Sequence, residues 1–355
     1  MIAIITAPGQ VAPRASISGN VVDASTKKPL PYAIVFLAGT TLGTSTDSAG
    51  QFEINNVPLG SHELVASMIG YKRQSFPLQI VEPSRKTLNV QLQSSEVQTQ
   101  AVEVVAPDPK EWRKNLERFQ REFLGQTKNA KQCSIKNPEV VSFVSDPKED
   151  LFQATAAMPF EIENLALGYR IQCFLEEFRI EKNVLQYKAQ TRFEELLSRD
   201  DAQKEEWQKQ RRRSYLGSKQ HFFFALGGGT FQQEGFEIIS VSTLLPTEET
   251  IRRSERIVDL KHYLSSLEND VQKSLSFPDY WQISYLREPP EYPLYFDSSR
   301  RDISLSRQVS WIKIDHAPVI FDLAGTLVDP YALSVYGYWA YERVAELLPL
   351  EYELK

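Results

Sequence analysis

Cysteine, histidine and basic charge are scarce in this sequence. Its 355 residues include two Cys and four His, and the net charge is −6. Two cysteines are too few for a disulfide scaffold, so Cys133 and Cys173 form either one bridge in an oxidising compartment or two buried thiols. The acidic balance does not favour general nucleic-acid binding, which usually needs a basic face.

Long apolar runs are missing too. No stretch reaches the ~18 to 20 apolar residues of a membrane-spanning helix, so we expect no transmembrane helix. The N-terminus, MIAIITAPGQVAPRAS, starts apolar and then becomes small and Pro-rich, but it has no basic n-region. We interpret residues 1–14 as the remnant of a secretory signal whose start lies upstream. The alternative is an ordinary frayed terminus.

The patterns of common hydrolytic sites are missing as well. None of the histidines opens the His-x-x-Glu or His-x-His pair of a zinc hydrolase. The chain has no Gly-x-Ser-x-Gly nucleophile elbow. Gly-Gly-Gly at 227–229 lacks the Lys of a phosphate-binding loop. We therefore predict no catalytic residue, no metal site and no cofactor.

Short strands are the main feature that is present. From residue 16 to 92, strand-like segments recur every ~8 to 12 residues with turn signals between them, which indicates a β-sandwich. The runs G19-x-V21-x-D23, P29-L30-P31-x-A33-x-V35, G43-T44-x-T46-D47-x-x-G50-x-F52-x-I54, V57-P58-x-G60 and I69-G70-Y71 resemble the carboxypeptidase regulatory-like domain. The resemblance implies a seven-stranded, transthyretin-like sandwich over residues 15–94.

Each motif residue of this module has an expected structural role. Asp47 and Gly50 shape a hairpin, and Phe52 points into the core with Ile54, two residues along the same strand. A tight turn uses Gly60. The last motif residues are Gly70 and Tyr71, and Tyr71 caps the end of a sheet.

The resemblance also implies where in the cell the protein is located. In metallocarboxypeptidases this module follows a separate zinc enzyme. Similar modules also precede TonB-dependent outer-membrane receptors of Gram-negative bacteria, where an EVVV-like stretch follows; here the stretch is SSEVQTQAVEVVAP. The roughly 250 residues that remain are fewer than such a receptor needs to span the membrane. We therefore expect export to the periplasm or outer membrane without the receptor function.

Residues 95–132 are predicted to be a linker with an amphipathic helix. Asp108 suits the N-cap, and Gly125 suits the C-terminal end. An apolar stripe runs through Trp112, Leu116, Phe119 and Phe123. The helix either lies on an anionic membrane surface, as a peripheral association, or docks its stripe on the following domain. Glu residues mixed into the polar face favour docking.

Residues 133–355 are predicted to form a β-rich α+β domain, so the whole chain is mainly β. We expect a hairpin at 181–183, a helix over about 201–226 and a final helix over about 334–348. The segments IENLALGYRI, YLGSKQHFFFAL and YGYWAYERVAELLP resemble a companion domain that follows the sandwich in uncharacterised envelope proteins. That resemblance implies no activity.

A basic cluster is the main candidate for a partner or anion contact. It comprises Lys204, Lys209, Arg211, Arg212 and Arg213. Such a cluster could contact phosphate, lipid headgroups or an acidic protein. The alternative is a solvated helix face balanced by neighbouring Glu residues.

The stretch VIFDLAGTLVDP, residues 319–330, resembles the phosphate-transfer loop of haloacid-dehalogenase-type phosphatases, Asp-x-Asp-Gly-Thr-Leu-x-Asp. Asp322 takes the place of the nucleophile. The general acid two residues later is replaced by Ala324, which has no proton to give. The partner motifs of such a site do not follow Asp329. We predict instead a core strand that ends at Phe321, a turn, and the final helix.

Together these features predict a non-catalytic, exported envelope protein with a structural or partner-binding role. Its partner would be an unknown envelope protein or a glycan or peptide ligand. One alternative is an accessory binding protein for sugar or peptide uptake at the outer membrane. A weaker alternative is a hydrolase that uses the Asp322 loop.

Overall fold

The computed structural model describes residues 13–95, 108–182, 184–242, 244, 259–267, 271–291, 307–329 and 331–354. The chain divides into two compact units, Met1–Val104 and Val105–Lys355. Strands dominate both, as predicted for a mainly β chain. The proposed signal remnant lies almost wholly outside the described residues.

Seven strands make up the described part of the first unit. They are β1 Arg14–Asp23, β2 Ile34–Leu37, β3 Gly43–Ser45, β4 Gln51–Pro58, β5 Gly60–Ser67, β6 Gln74–Ile80 and β7 Arg85–Leu92. They form two sheets in the orders β4-β1-β7 and β3-β2-β5-β6. β1 and β7 run parallel, and the other pairs are antiparallel. The predicted seven-stranded sandwich is confirmed.

The core of this unit follows the alternation of its strands. Phe52 and Ile54 are 5% and 3% exposed, whereas the residue between them, Glu53, is exposed. Tyr71 donates its hydroxyl to Asp23 Oδ2 at 3.0 Å, while Asp23 Oδ1 accepts backbone N–H groups of the following turn. These hydrogen bonds lower the pKa of Asp23, and Tyr71 thereby ties the sheet end to β1.

The turn at Asp47 differs from the prediction in what it joins. Asp47 Oδ1 accepts the N–H groups of Ala49 and Gln51 at 2.9 and 2.8 Å, and Gly50 has φ +73°. The turn is therefore built as predicted. Its flanking strands, β3 and β4, belong to different sheets, so it is a crossing between the sheets and the predicted hairpin is wrong.

The second unit contains four helices and thirteen strands among its described residues. The helices are α1 Pro109–Leu124, α2 Asp201–Tyr215, α3 Lys219–Gly227 and α4 Tyr338–Tyr341. The strands are β8 Cys133–Ile135, β9 Val141–Asp146, β10 Leu151–Ala156, β11 Phe160–Asn164, β12 Tyr169–Glu181, β13 Val184–Glu195, β14 Phe236–Val241, β15 Leu264–Ser266, β16 Gln272–Leu275, β17 Tyr280–Tyr285, β18 Gln308–Ile314, β19 Val319–Asp322 and β20 Leu333–Gly337.

Three sheets organise these strands. The largest has the order β8-β11-β12-β10-β9, with β13 along the other edge of β12. A second sheet has the order β14-β17-β18-β20, and a small third one has the order β15-β16-β19. β12 and β13 form the predicted hairpin around Lys182. No disulfide joins Cys133 and Cys173, so the bridge alternative is wrong.

Helix α1 docks on the largest sheet. Phe119 and Phe123 are fully buried, and both meet Phe160 and Phe178 in edge-to-face contacts. Trp112 donates its indole N–H to a strand carbonyl at 3.1 Å. The apolar stripe is therefore covered by protein, which supports docking over the membrane alternative.

Two predicted helices are wrong in extent. The helix expected over 201–226 is broken into α2 and α3 by a turn at Leu216, Gly217 and Ser218, where Ser218 caps α3 through the N–H of His221. Most of the helix expected over 334–348 is strand β20, the single turn α4 and a short 3₁₀ turn. All five residues of β20 pair with β18, and that long-range pairing overrides the helical pattern.

Helix α2 is fastened to the turn between β11 and β12. Trp207 lies directly over Gly168, where φ is +68° and where a Cβ would collide with the indole ring. The Trp207 indole N–H donates to the carbonyl of Leu165 at 2.8 Å. The backbone of Gly168 thus serves as the surface on which α2 packs.

We predict that Gly168→Ala destabilises the second unit by about 3 kcal/mol. About 1 kcal/mol comes from the left-handed backbone and the rest from overpacking against Trp207. Gly229 is a matched control, because its φ is +71° and a Cβ there would meet open space. Gly229→Ala should cost only about 1 kcal/mol.

Denaturant unfolding followed by tryptophan fluorescence measures both changes. All five tryptophans belong to the second unit, so the signal reports that unit alone: Trp112, Trp207, Trp281, Trp311 and Trp339. Equal losses for the two variants would contradict the proposed packing.

Candidate functional site

An open groove of about 410 Å³ lies beside the N-terminal half of α2. We call it the α2 groove. Its apolar floor consists of Leu165, Ala166, Ala202 and the edge of Trp207. Its polar rim consists of Gln132, Arg199, Asp200, Gln203, Glu206 and Gln210. Six of these ten lining residues are polar, so the groove is more polar than the mainly apolar pockets that bind small molecules.

Some rim groups are already used by the fold and others are not. Asp200 caps α2 by accepting the N–H of Gln203 at 2.8 Å, and Gln203 in turn accepts the N–H of Arg199 at 2.9 Å. The side chains of Gln132 and Arg199 are exposed and have no hydrogen-bond partner among the described residues. Those two side chains can therefore bind a ligand without breaking an internal bond.

The basic cluster is divided, because the Arg211 side chain is largely buried and the other four are exposed. Arg211 lies over the ring of Tyr169 at 4.0 Å and donates Nε to the carbonyl of Leu167 at 2.7 Å, so it faces inward. Lys209 is exposed near Glu206, at 4.0 Å. Arg213 borders a different cavity from the groove, and Lys204 is exposed. Arg212 is exposed next to Arg213.

A second, very small cavity is lined by four carboxylates. We call it the carboxylate seam: Glu288, Glu291, Glu342 and Glu346, with Lys128, Asn129, Gln210, Arg213, Ser214 and Tyr338. Glu346 Oε2 accepts the Asn129 amide at 2.8 Å and the Ser214 hydroxyl at 2.6 Å. Glu291 Oε1 accepts the backbone N–H of Lys128 at 3.1 Å. The seam joins four segments: the α1–β8 connection, α2, the segment after β17 and the C-terminal segment.

Burial and neighbouring charge act together on Glu342. Desolvation, followed by the nearby Glu346, Glu288 and Glu291, raises the pKa of Glu342 well above its ordinary value. Desolvation also raises the pKa of Glu288, although Arg213 and Arg212 oppose it. Carboxylates held this close together favour keeping a proton among them.

His221 has the neighbours of a catalytic base but not the geometry. It is 2% exposed, and its Nδ1 accepts the N–H of Gly217 at 3.1 Å. Nε2 therefore carries the hydrogen and faces Glu234 Oε2 at 3.6 Å. Burial lowers the pKa of His221, which keeps the ring neutral. Both nitrogens serve the fold, since they join the start of α3 to the turn before β14.

The Asp322 loop is a buried turn. Asp322 is 1% exposed, and its Oδ1 accepts the N–H groups of Ala324 and Thr326 at 3.0 and 2.9 Å. Gly325 packs against the backbone of α3 at Phe224. The chain continues into β20 and not into the long helix that the sequence predicts. The carboxylate thus holds a strand end, as expected from the loss of the second acid at Ala324.

Sequence reasoning missed both the α2 groove and the carboxylate seam. Trp207 in an otherwise polar helix, with Arg211 one turn later, was the available signal for α2 docking. No local signal marks the seam, because its residues come from four distant segments.

Among the described residues, no helix is long and apolar enough to cross a bilayer, as predicted. Within the same residues, no group of His, Cys, Asp and Glu has a metal-binding arrangement.

Comparison with known families assigns the N-terminal module. Residues 17–105 match the CarboxypepD_reg-like domain, which confirms the resemblance predicted from the motifs. No curated protein matches the chain.

Solved structures match only a small part of the chain. A mutant type II cohesin–X-dockerin complex from Acetivibrio cellulolyticus is 22% identical over 22% of this chain and 58% of that chain, with a TM-score of 0.20. The pilus 2b backbone protein of group B streptococcus is 19% identical over 23% and 42%, with a TM-score of 0.20. 3-Chlorocatechol 1,2-dioxygenase from Rhodococcus opacus 1CP is 12% identical over 25% and 63%, with a TM-score of 0.21. This chain spans less than two thirds of each, and likeness at this level carries no functional inference.

We predict that Asp322 contributes stability and not turnover. Asp322→Ala leaves two partly buried N–H donors without an acceptor and should cost about 2 to 3 kcal/mol. Asp322→Asn keeps the accepting oxygen and should cost about 1 kcal/mol. Tryptophan-monitored unfolding measures both. A Mg²⁺-dependent aryl phosphatase activity that disappears in both variants would contradict the structural role.

Proposed function

We propose that this chain is an exported, non-catalytic binding protein of the cell envelope, and that its second unit binds a peptide segment in the α2 groove. The observation that carries the proposal is the groove itself, with its apolar floor and the unengaged side chains of Gln132 and Arg199. The regulatory-like module supports the envelope address, because similar modules precede outer-membrane receptors.

The composition of the groove favours a peptide over a glycan. Sugar sites usually offer an exposed aromatic face on which a pyranose ring can stack. Trp207 is only 6% exposed, because its ring packs on Gly168. Leu165, in contrast, is 49% exposed and offers aliphatic surface to a peptide side chain. The Gln132 amide can donate to and accept from a peptide backbone.

Asp322 and His221, the two residues that suggest catalysis, use their side chains in hydrogen bonds that hold the fold. Asp322 uses its carboxylate to close a turn, and His221 uses Nδ1 to accept a backbone N–H. A nucleophile or base needs a lone pair that faces its substrate. The engagement of both groups supports a binding role for the second unit.

We predict that Ala202→Arg blocks peptide binding. Ala202 is an exposed helical position on the groove floor, so Arg keeps the helix and fills the groove. Gln208→Arg is the matched control, because Gln208 is exposed on another face of α2. Peptides selected from a random short-peptide library on the wild-type chain should bind Ala202→Arg at least about tenfold more weakly and Gln208→Arg unchanged.

Two results would count against this assignment. Equal loss in both variants would show that the selected peptides bind through charge and not in the groove. Hits on a glycan array that are lost in Ala202→Arg, together with an empty peptide selection, would replace the peptide with a sugar. In that case the chain would be the sugar-binding accessory considered from the sequence.

The envelope address has its own test. Expressed from its own genomic locus in a Gram-negative host, the chain should fractionate with the periplasm or the outer membrane. It should also become accessible to protease once the outer membrane is permeabilised. Recovery of the intact chain in the cytoplasmic fraction, with no exported pool, would remove the envelope part of the proposal.

A further inference from the structure

The carboxylate seam gathers more negative than positive charge. Its four carboxylates come from the segment after β17 and from the C-terminal segment. The cations that face it, among the described residues, are Lys128 from the α1–β8 connection and Arg212 and Arg213 from α2. Lys128 forms an ion pair with Glu291, with Nζ at 3.9 Å from Oε1. The two arginines lower the pKa of Glu288 through their positive charge.

Glu342 differs from Glu288 and Glu291, because the charges that act on its pKa are all negative. Its charged neighbours in the seam are Glu346, Glu288 and Glu291, all of the same sign. Like charges in a partly dehydrated site cannot all be ionised without a large cost. A proton on Glu342 removes that repulsion.

The seam contains an unused hydrogen-bond acceptor for a protonated carboxyl group. Glu346 Oε2 already accepts from Asn129 and Ser214. Glu346 Oε1 is buried without a hydrogen-bond partner among the described residues. A protonated Glu342 supplies an O–H donor in the same cavity, where an unused acceptor is present.

We propose that the carboxylate seam is a proton-dependent clasp. With Glu342 protonated, the C-terminal segment 338–348 is held against α2 and the α1–β8 connection through Glu346, Ser214 and Asn129. With Glu342 ionised, repulsion among the carboxylates loosens those contacts.

A bound cation is the competing way to balance the same charge. No set of three or more His, Cys, Asp and Glu in the described ranges has a metal-binding arrangement. The seam also encloses only about 20 Å³, which is close to the space of one water molecule. A proton therefore fits the seam better than a coordinated metal.

The direction of the pH dependence follows from linkage. The pKa of Glu342 is higher in the folded state than its ordinary value of 4.5, so folding takes up a proton. The stabilisation is complete below the unfolded pKa and is lost as the pH rises through the folded pKa. His221 acts in the opposite sense, because its folded pKa is lowered from 6.5. Only the difference between wild type and a Glu342 variant isolates the clasp.

The test compares the full-length wild-type chain with Glu342→Gln, which keeps the shape and carries no charge. Tryptophan-monitored urea midpoints are measured from about pH 5 to about pH 8. As pH rises, the unfolding equilibrium constant of the wild type should increase relative to that of Glu342→Gln, by up to about tenfold per pH unit. Glu205→Gln, at an exposed position of α2, should follow the wild type.

Cys133 reports the opening of the clasp directly. Its thiol donates to the carbonyl of Asn129 at 3.4 Å, and burial raises the pKa of the thiol to about 12. At about pH 8, a thiol reagent should label Cys133 faster in wild type than in Glu342→Gln. Cys173 is fully buried and serves as the internal reference.

Three results would overturn the proposal. The first is a parallel pH dependence of wild type and Glu342→Gln, and the second is equal labelling of Cys133 in both. The third is stabilisation at about pH 8 by Na⁺, Mg²⁺ or Ca²⁺ that is larger in wild type than in Glu342→Gln, because it would assign the seam to a cation. If Glu342→Gln does not fold, Glu288→Gln tests the same seam and should reduce the pH dependence in the same direction.

Discussion

The attachment of α2 to the turn between β11 and β12 is the constraint on which the second unit depends. Trp207 packs its ring on the backbone of Gly168, and Arg211, one turn later, donates to the carbonyl of Leu167. Because both contacts go to one short turn, the helix is fixed in position and in rotation about its axis. One flank of α2 then becomes a wall of the groove, and its C-terminal end delivers Ser214 to the carboxylate seam.

The first unit was largely predictable because its signals are local. Turn residues and the alternation of Phe52 and Ile54 define strands without reference to distant parts of the chain. The prediction failed where a local signal says nothing about pairing. Asp47 and Gly50 do form the expected turn, yet β3 and β4 pair with different partners, since strand pairing is decided by contacts far apart in sequence.

The second unit was less predictable for the same physical reason. The docking stripe of α1 was foreseen because Phe119 and Phe123 repeat at helical spacing. The segment after residue 333 has a helical pattern too, but its first residues pair with β18 as strand β20, and only the single turn α4 and a short 3₁₀ turn follow. The seam could not be foreseen at all: the bond from Lys128 to Glu291 joins residues 163 positions apart. Proton-holding carboxylates become visible only when the fold brings them together.

The same fastening separates the two sites that the fold creates. Asp200, Ala202 and Glu206 border the groove on the N-terminal side of Arg211, whereas Arg213 and Ser214 border the seam beyond it. A site can influence another only through an element with two arrangements that both sites bias. Trp207 and Arg211 fix the position of α2. Loss of the contact between Ser214 and the seam therefore does not rotate the whole helix. Gln210 borders both cavities, and Gln132 of the groove donates its backbone N–H to the carbonyl of Asn129 in the seam at 2.9 Å. Coupling between ligand and proton can therefore pass through these local contacts without a movement of the helix.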